Sequence, residues 1–177
     1  MDVKDYIEGL KKLKPSEELL LKSGFTSIPT AIIKKYVLDK RENKNEDFKE
    51  MNGAIFALFN EYDTQYLRFA DFSFYSTIKH SDDLFIFAGS SYSELAFKTA
   101  DSEVVEYDRE EWSVLNYCAK NTEAFLETLL VVFEMYALRF QNLISTKDSQ
   151  INGKYLERCS QISGGNKYRR FYKEIIG

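Results

Sequence analysis

Residues 84–108 constrain the fold more than any other part of the chain, because three short apolar segments follow one another there. Residues 84–88 and 94–98 are separated by a polar turn, and residues 103–108 follow a second polar turn. Alternation of apolar and polar side chains is typical of strands that bury one face of a sheet. The pattern predicts a hairpin extended into an antiparallel meander, to which residues 112–118 add a further strand.

Three aromatic-rich segments precede the meander, at residues 54–59, 66–69 and 72–75. Their short length and their aromatic content favour strands. For residues 54–59 a helix remains the alternative, because a short apolar run has no clear period. Residues 40–47 are polar and charged and are predicted to form a loop.

Helices are predicted on both sides of the strand region. Apolar residues recur at three- and four-residue steps over residues 2–13, and Pro15 and Pro29 are suited to begin two further short helices. Asn121 can cap a long helix after the sheet, and two short helices separated by Gly164 follow. The chain is therefore predicted to be α+β, with a central antiparallel meander flanked by N-terminal helices, a long helix after the sheet and short C-terminal helices.

One domain accommodates this pattern, since 177 residues suffice for a single sizeable core but not for two.

The net charge of −4 disfavours nucleic acid as a partner, because nucleic-acid binders usually present a basic surface. The most apolar segment, residues 125–144, contains glutamate and arginine, which favours a buried helix over a membrane span. No secretory leader is visible and the two cysteines lie far apart, so we expect a cytoplasmic protein with reduced thiols.

Histidine and cysteine, which most metal and nucleophilic sites need, are scarce in this sequence. His80 is followed by Asp82 and Asp83, but a zinc site needs three good ligands, so a solvated turn is the favoured interpretation. Cys118 has no histidine near it in sequence, and a pairing with His80 across the fold is the alternative. No catalytic residue, metal or cofactor is predicted, and the chain is not expected to be an enzyme.

Carboxylates are frequent between residues 94 and 111. A period of two places Glu94 and Lys98 on the outward face of one predicted strand, and Glu106 and Asp108 on the outward face of the next. Charges in such positions keep a sheet soluble, and a hydrolytic acid–base pair is the alternative. An acidic sheet surface would also attract a basic protein partner and speed the encounter.

The carboxyl-terminal segment interleaves basic residues with aromatic ones, including Tyr168, Phe171 and Tyr172. Basic and aromatic side chains that alternate in this way can bind single-stranded nucleic acid. The aromatic residues recur at helical spacing, however, which favours packing of the aromatic side chains in the core with the basic residues outside.

Several features of the middle of the chain occur together in one known family. Residues 84–91 form an apolar strand that ends near a glycine, a second strand ends in Tyr107 and Asp108, and residues 121–126 begin a helix that bears a phenylalanine. This combination resembles the SUKH superfamily, which contains fungal cell-wall-synthesis regulators and many bacterial immunity proteins. Thr122 and Ala124 depart from the phenylalanine and glutamate that are usual in the helical segment.

The resemblance implies a single SUKH-like α+β domain over residues 1–177 that is not an enzyme and that binds another protein. In bacteria such a domain commonly neutralises a toxin, and many of these toxins are nucleases with basic surfaces. We therefore expect a cytoplasmic immunity or antitoxin-like protein whose partner is a basic protein such as a nuclease-type toxin. A regulatory or scaffold domain with a different protein partner is the alternative.

The partner-binding residues are predicted from the residue types that protein interfaces favour. Aromatic anchors surrounded by polar and charged groups are typical of tight interfaces. We therefore predict that the partner is bound by acidic positions of the sheet region together with exposed aromatic residues: Glu94, Glu103, Glu106, Asp108, Tyr92 and Tyr107.

Overall fold

The structure, a computed structural model, describes residues 1–26, 29–42, 51, 53–81, 83–98 and 102–177. In these ranges four helices come first: α1 (Val3–Leu13), α2 (Glu17–Lys22), α3 (Pro29–Lys34) and α4 (Ala54–Glu61). The strands follow: β1 (Arg68–Phe69), β2 (Phe72–Ser81), β3 (Leu84–Gly89), β4 (Ser93–Lys98), β5 (Val104–Asp108) and β6 (Val114–Ala119). The chain continues with α5 (Thr122–Phe140), α6 (Ser149–Ser163), a short 3-10 helix (Asn166–Tyr168) and α7 (Arg169–Ile176).

The strands of the described ranges form one sheet in the order β1-β2-β3-β4-β5-β6, and each strand is antiparallel to the next. The predicted α+β class and the predicted meander are therefore confirmed. The predicted loop at residues 40–47 lies largely outside the described residues. None of the helices that the structure describes is both long enough and apolar enough to cross a membrane.

An aromatic core fixes α4 and α5 on one face of the sheet. The ring of Phe56 in α4 meets Phe85 and Phe97 edge-to-face, with centroids 4.8 and 5.1 Å apart. Phe125 in α5 meets Phe87 in the same way, with centroids 5.5 Å apart. Burial of each such ring contributes about 1.5–3 kcal/mol, and the edge-to-face pairing adds about 0.5–1.5 kcal/mol.

The opposite face of the sheet, called here the second face, has its own row of residues. Ile86, Ala96, Val105 and Tyr117 occupy matching positions on four successive strands. The first three are buried but lie outside the main core cluster, whereas Tyr117 is exposed. Glu94 lies on this second face, as the spacing of two predicts.

The prediction that Glu106 and Asp108 point outward is wrong. Glu106 pairs with Leu95, which belongs to the helix-covered core, and its exposed fraction is only 8%. Asp108 pairs with Ser93 and is half-buried at the end of β5. The strand register explains why the prediction fails. Side chains of β5 alternate between the two faces of the sheet, and the pairing with β4 decides which of them face the helices.

Residues 54–59 form the first part of α4 and not the favoured strand. Ala54, Ile55, Phe56, Leu58 and Phe59 are all buried, so the segment lacks the exposed alternate positions of a surface strand. The backbone N–H of Ala54 donates to Thr122 Oγ1 at 3.2 Å and to Glu123 Oε1 at 3.0 Å. The helix start is therefore capped by residues of α5, far away in sequence.

The carboxyl-terminal aromatic residues pack in the core, as predicted. Tyr168, Phe171 and Tyr172 are buried. The hydroxyl of Tyr172 donates to the carbonyl oxygen of Cys118 in β6 at 2.8 Å. These contacts hold α7 against the last strand of the sheet.

Two glycines, one within α6 and one directly after it, provide a test of this packing. Gly164 ends the helix at φ +123°, and a Cβ there would lie 2.8 Å from Tyr168 Cε2 and 3.1 Å from Lys120 Cβ. Gly164→Ala is expected to lower the free energy of unfolding by about 1–3 kcal/mol, through backbone strain and overpacking. Urea unfolding followed by circular dichroism measures the change.

Gly153→Ala is the matched control, because a Cβ at Gly153 meets nothing within 4 Å. It is expected to raise the free energy of unfolding by about 0.4–1 kcal/mol, since alanine restricts the unfolded chain. Equal shifts of the two unfolding midpoints would contradict the assigned roles of the two glycines.

Candidate functional site

Two turns meet at one end of the sheet, and we call them the turn pair. Residues 90–92 connect β3 to β4, and residues 109–113 connect β5 to β6. The N–H of Arg109 donates to the carbonyl oxygen of Tyr92 at 3.1 Å, which joins the two turns directly. The turn pair therefore behaves as one surface.

Tyr92 stands at the tip of the first turn with 82% of its surface exposed. The hydroxyl oxygen of Ser90 accepts from the N–H groups of Tyr92, at 3.2 Å, and of Ser93, at 3.0 Å. These bonds hold the turn in one conformation. An exposed aromatic ring on a fixed backbone loses little entropy on binding, which suits an interface anchor.

Trp112 is presented by the second turn, with 53% of its surface exposed. Its φ of +53° lies in the left-handed region, which costs a residue with a side chain about 1–2 kcal/mol. Its N–H donates to the carbonyl oxygen of Asp108 at 3.1 Å. Such strain at an exposed aromatic residue is typical of functional sites rather than of packing.

The carboxylate of Asp108 stabilises the second turn. It accepts from the N–H groups of Glu111 at 2.9 Å and of Glu110 at 2.8 Å. These two hydrogen bonds lower the pKa of Asp108 below its usual value. Asp108 thus supports the turn that carries Trp112.

On the second face, Glu94 belongs to a small polar network. The hydroxyl of Tyr75 donates to Glu94 Oε1 at 2.9 Å, and Arg109 Nη2 donates to the Tyr75 hydroxyl oxygen at 2.8 Å. Burial and the bond to Glu94 raise the pKa of Tyr75. The network lies over Gly89, where a Cβ would collide with both Tyr75 and Arg109.

A shallow groove of about 410 Å³ runs beside this network. Its lining includes Glu94, Arg109 and Trp112 together with Lys79 and His80. Tyr107 is half-buried on the same face and pairs with Glu94 in the strand register. The groove continues the turn pair onto the second face of the sheet.

Glu106 lies on the helix side of the sheet, in a separate depression of about 210 Å³ that we call the acidic cleft. Ser93 Oγ donates to Glu106 Oε1 at 2.6 Å. Asn116 Nδ2 donates to Glu106 Oε2 at 2.7 Å and to Glu174 Oε2 at 3.2 Å. The cleft is lined by Ala70, Asp71, Phe72, Ser90, Tyr92, Ser93, Glu106, Leu115, Phe171, Glu174 and Ile175.

Glu103 lies away from these residues, at the opposite end of β5. It accepts from Lys167 Nζ at 2.5 Å and from the hydroxyl of Tyr168 at 2.8 Å. Lys167 also lies over the ring of Tyr117, 4.0 Å from its centroid. These contacts join the sheet to the carboxyl-terminal helices.

The structure thus groups four of the predicted binding residues around the turn pair: Tyr92, Glu94, Tyr107 and Asp108. Glu106 lies below them in the acidic cleft, and Glu103 lies elsewhere. Sequence reasoning missed Trp112, Asn116 and Glu174 as functional candidates. For Trp112 a signal existed, since the single tryptophan of the sequence follows two glutamates, but residues 112–118 are predicted as a whole to form a strand.

The alternative pairing of Cys118 with His80 is not formed. Cys118 is buried in β6, whereas His80 lies in β2 and stacks on Phe85 with centroids 4.6 Å apart. Four interstrand spacings of roughly 4.8 Å separate β2 from β6, about 19 Å in total. Asp82 lies outside the described residues, and among the described ones no group of three or more histidine, cysteine or acidic residues is placed to hold a metal.

Protein-family models, curated protein sequences and solved structures were all compared with this chain, and none matches it. The function must therefore be inferred from the geometry described above. The turn pair, with two exposed aromatic side chains on hydrogen-bonded turns, is the part of that geometry suited to recognition.

Both cysteines are expected to be unreactive in the folded protein. Burial raises the pKa of Cys159 to about 12, and burial followed by nearby glutamates raises that of Cys118 well above its usual value. Iodoacetamide at about pH 8, where an ordinary thiol is partly ionised, should label neither thiol before denaturation and both afterwards. Mass spectrometry measures the labelling, and rapid modification of native Cys118 would contradict its burial.

The strain at Trp112 can be isolated with two variants that both remove the indole ring. Trp112→Gly is expected to be more stable than Trp112→Ala by about 1 kcal/mol, because glycine adopts a positive φ without steric cost. Urea unfolding of the two variants measures the difference. Greater stability of the alanine variant would show that the turn relaxes to a negative φ.

Proposed function

We propose that this protein is a non-enzymatic, cytoplasmic immunity or antitoxin-like protein that neutralises a cognate toxin by stoichiometric occlusion. The single observation that supports this most is the turn pair, which presents Tyr92 and Trp112 on two turns joined by the Arg109–Tyr92 hydrogen bond. Tyrosine and tryptophan are the residue types that most often dominate binding energy at protein interfaces. The resemblance to the SUKH superfamily points to the same class.

Exposed apolar side chains extend the surface beyond the two aromatic anchors. Val114 and Tyr117 of β6 pair with Tyr107 and Val105 on the second face and are more than one-third exposed. Leu115, also more than one-third exposed, lines the acidic cleft. Contiguous exposed apolar residues on a folded protein are typical of interaction sites. The strand and the turn pair together would form the core of an interface.

Charge indicates the kind of partner. Glu110 and Glu111 are exposed next to Trp112, and the acidic cleft opens beside Tyr92. A negative rim around aromatic anchors favours a basic partner and accelerates association with it. A nuclease-type toxin, whose surface must attract phosphate, fits this requirement.

A binding function is favoured over a catalytic one because the carboxylates at the turn pair are already engaged by other groups of the protein. Asp108 accepts hydrogen bonds from its own turn, and Glu94 is engaged by Tyr75 and lies 3.6 Å from Arg109. Groups engaged in this way stabilise the surface, whereas a general acid or base must be available to a substrate.

The proposal is tested by capturing the product of the neighbouring gene with the purified protein and by measuring the affinity calorimetrically. Trp112→Ala and Tyr92→Ala are each expected to weaken binding by about 30-fold or more, the effect of losing an interface hot spot. Tyr66→Ala is the matched control, because Tyr66 is also an exposed aromatic residue but lies outside the turn pair. Tryptophan emission should shift to the blue when the toxin covers Trp112.

Two results would decide against toxin neutralisation. One is failure to bind any adjacent toxin-like product together with failure to protect cells that express it. The other is binding that Trp112→Ala, Tyr92→Ala and Tyr66→Ala affect equally. Capture of a non-toxin protein through Trp112, in a genomic neighbourhood without toxin genes, would instead support the regulatory or scaffold alternative.

A further inference from the structure

The acidic cleft lies next to the proposed interface and has the size of a single side chain. Its volume of about 210 Å³ is below the roughly 300–1,000 Å³ of pockets that hold drug-sized ligands. Its walls include the apolar side chains of Phe72, Leu115 and Phe171. Such walls can pack against the aliphatic stem of a long side chain whose polar end reaches the carboxylates.

Among the described residues, no buried cation is paired with the carboxylates of the cleft. Glu106 is 8% exposed, and its hydrogen-bond donors in the described part of the chain, Ser93 and Asn116, are neutral. Glu174 engages Arg170 only through its other oxygen, in an exposed ion pair. A buried carboxylate without a positive partner is costly, so a cation that enters the cleft would be stabilised.

Asn116 shows that hydrogen-bond acceptors outnumber donors at this point. Its Nδ2 group bridges Glu106 Oε2 and Glu174 Oε2, which places the two carboxylate oxygens around one common donor. Its Oδ1 atom is buried and has no donor among the described residues. A ligand that binds both carboxylates must therefore bring several N–H groups, and a positive charge would offset theirs.

We propose that the acidic cleft binds one arginine side chain of the protein partner, with the guanidinium group between Glu106 and Glu174 and the stem against Phe171. A guanidinium offers five donors in a rigid planar fork, whereas an ammonium offers three around one point. Arginine therefore satisfies two separated carboxylates better than lysine does. This assignment rests on the proposed function, since it identifies a contact that a basic partner makes beside Tyr92.

The assignment is tested without the partner, by titrating the nitrogen-15-labelled protein with N-acetyl-arginine methylamide and recording amide chemical shifts. Saturable shifts of Ser93, Leu115 and Ile175 are expected, with millimolar affinity that falls as salt is added. The lysine analogue should bind more weakly, and the neutral citrulline analogue, which keeps the shape of arginine, should cause no saturable shift. Equal shifts with arginine and citrulline, or none with arginine, overturn the assignment.

Two variants locate the binding. Glu106→Gln and Glu174→Gln keep the size of the side chain but remove one charge, and each should weaken binding of the arginine analogue by about tenfold. Glu174 is exposed, so its variant is informative even if Glu106→Gln fails to fold. Glu157→Gln is the matched control, because Glu157 is an exposed glutamate of α6 outside the cleft. Wild-type affinity in Glu174→Gln overturns the assignment.

The test of arginine binding and the test of the proposed function can fail independently. Saturable arginine binding in a protein that captures no partner through Trp112 contradicts the proposed function and supports the cleft. Capture of a partner through Trp112, with no arginine-dependent shift, supports the proposed function and overturns the cleft.

Discussion

The rings of Phe87 and Phe125 meet at the centre of the molecule, and the arrangement of the sheet depends on this contact. Phe125 also lies edge-to-face with Phe69, so one residue of α5 joins β3 to the first strand. Because the helices occupy this face, the remaining surfaces of the sheet are its second face and its ends. The turn pair lies at one of those ends, where strand connections can present side chains without disturbing the core, and the acidic cleft opens beside it on the helix side of the sheet.

Local periodicity predicted most of the fold. The meander, α1 and α5 follow from alternation or helical spacing within their own segments, and Asn121 caps α5 by accepting from the N–H of Ala124 as its position predicts. The start of α4 is different, because Thr122 and Glu123 supply the hydrogen bonds that fix it. Hydrogen bonds between residues so distant in sequence leave no local sequence pattern. The apolar run at residues 54–59 was therefore ambiguous between strand and helix.

The candidate site was predictable only in part, for a similar reason. The exposure of Tyr92 could be predicted from its position in a polar turn, because an aromatic side chain in such a turn does not reach the core. Glu106 and Glu103 share the composition of exposed strand residues but are buried, because Asn116, Ser93 and Lys167 come from other elements to meet them. Strand register and helix docking decide such partnerships, and neither can be read from residue types along one strand.

The hydrogen bond between Tyr172 and β6 affects how the edge of the sheet is exposed. Among the strands that the structure describes, β6 is the last in the sheet order, so one of its backbone edges faces no further described strand, and such edges are the ones to which strands of other molecules add. Its pairing with β5 is irregular, and the Tyr172 hydroxyl occupies the carbonyl of Cys118 while α7 packs alongside. One helix thereby forms a wall of the acidic cleft and also occupies part of the sheet edge to which another strand could add.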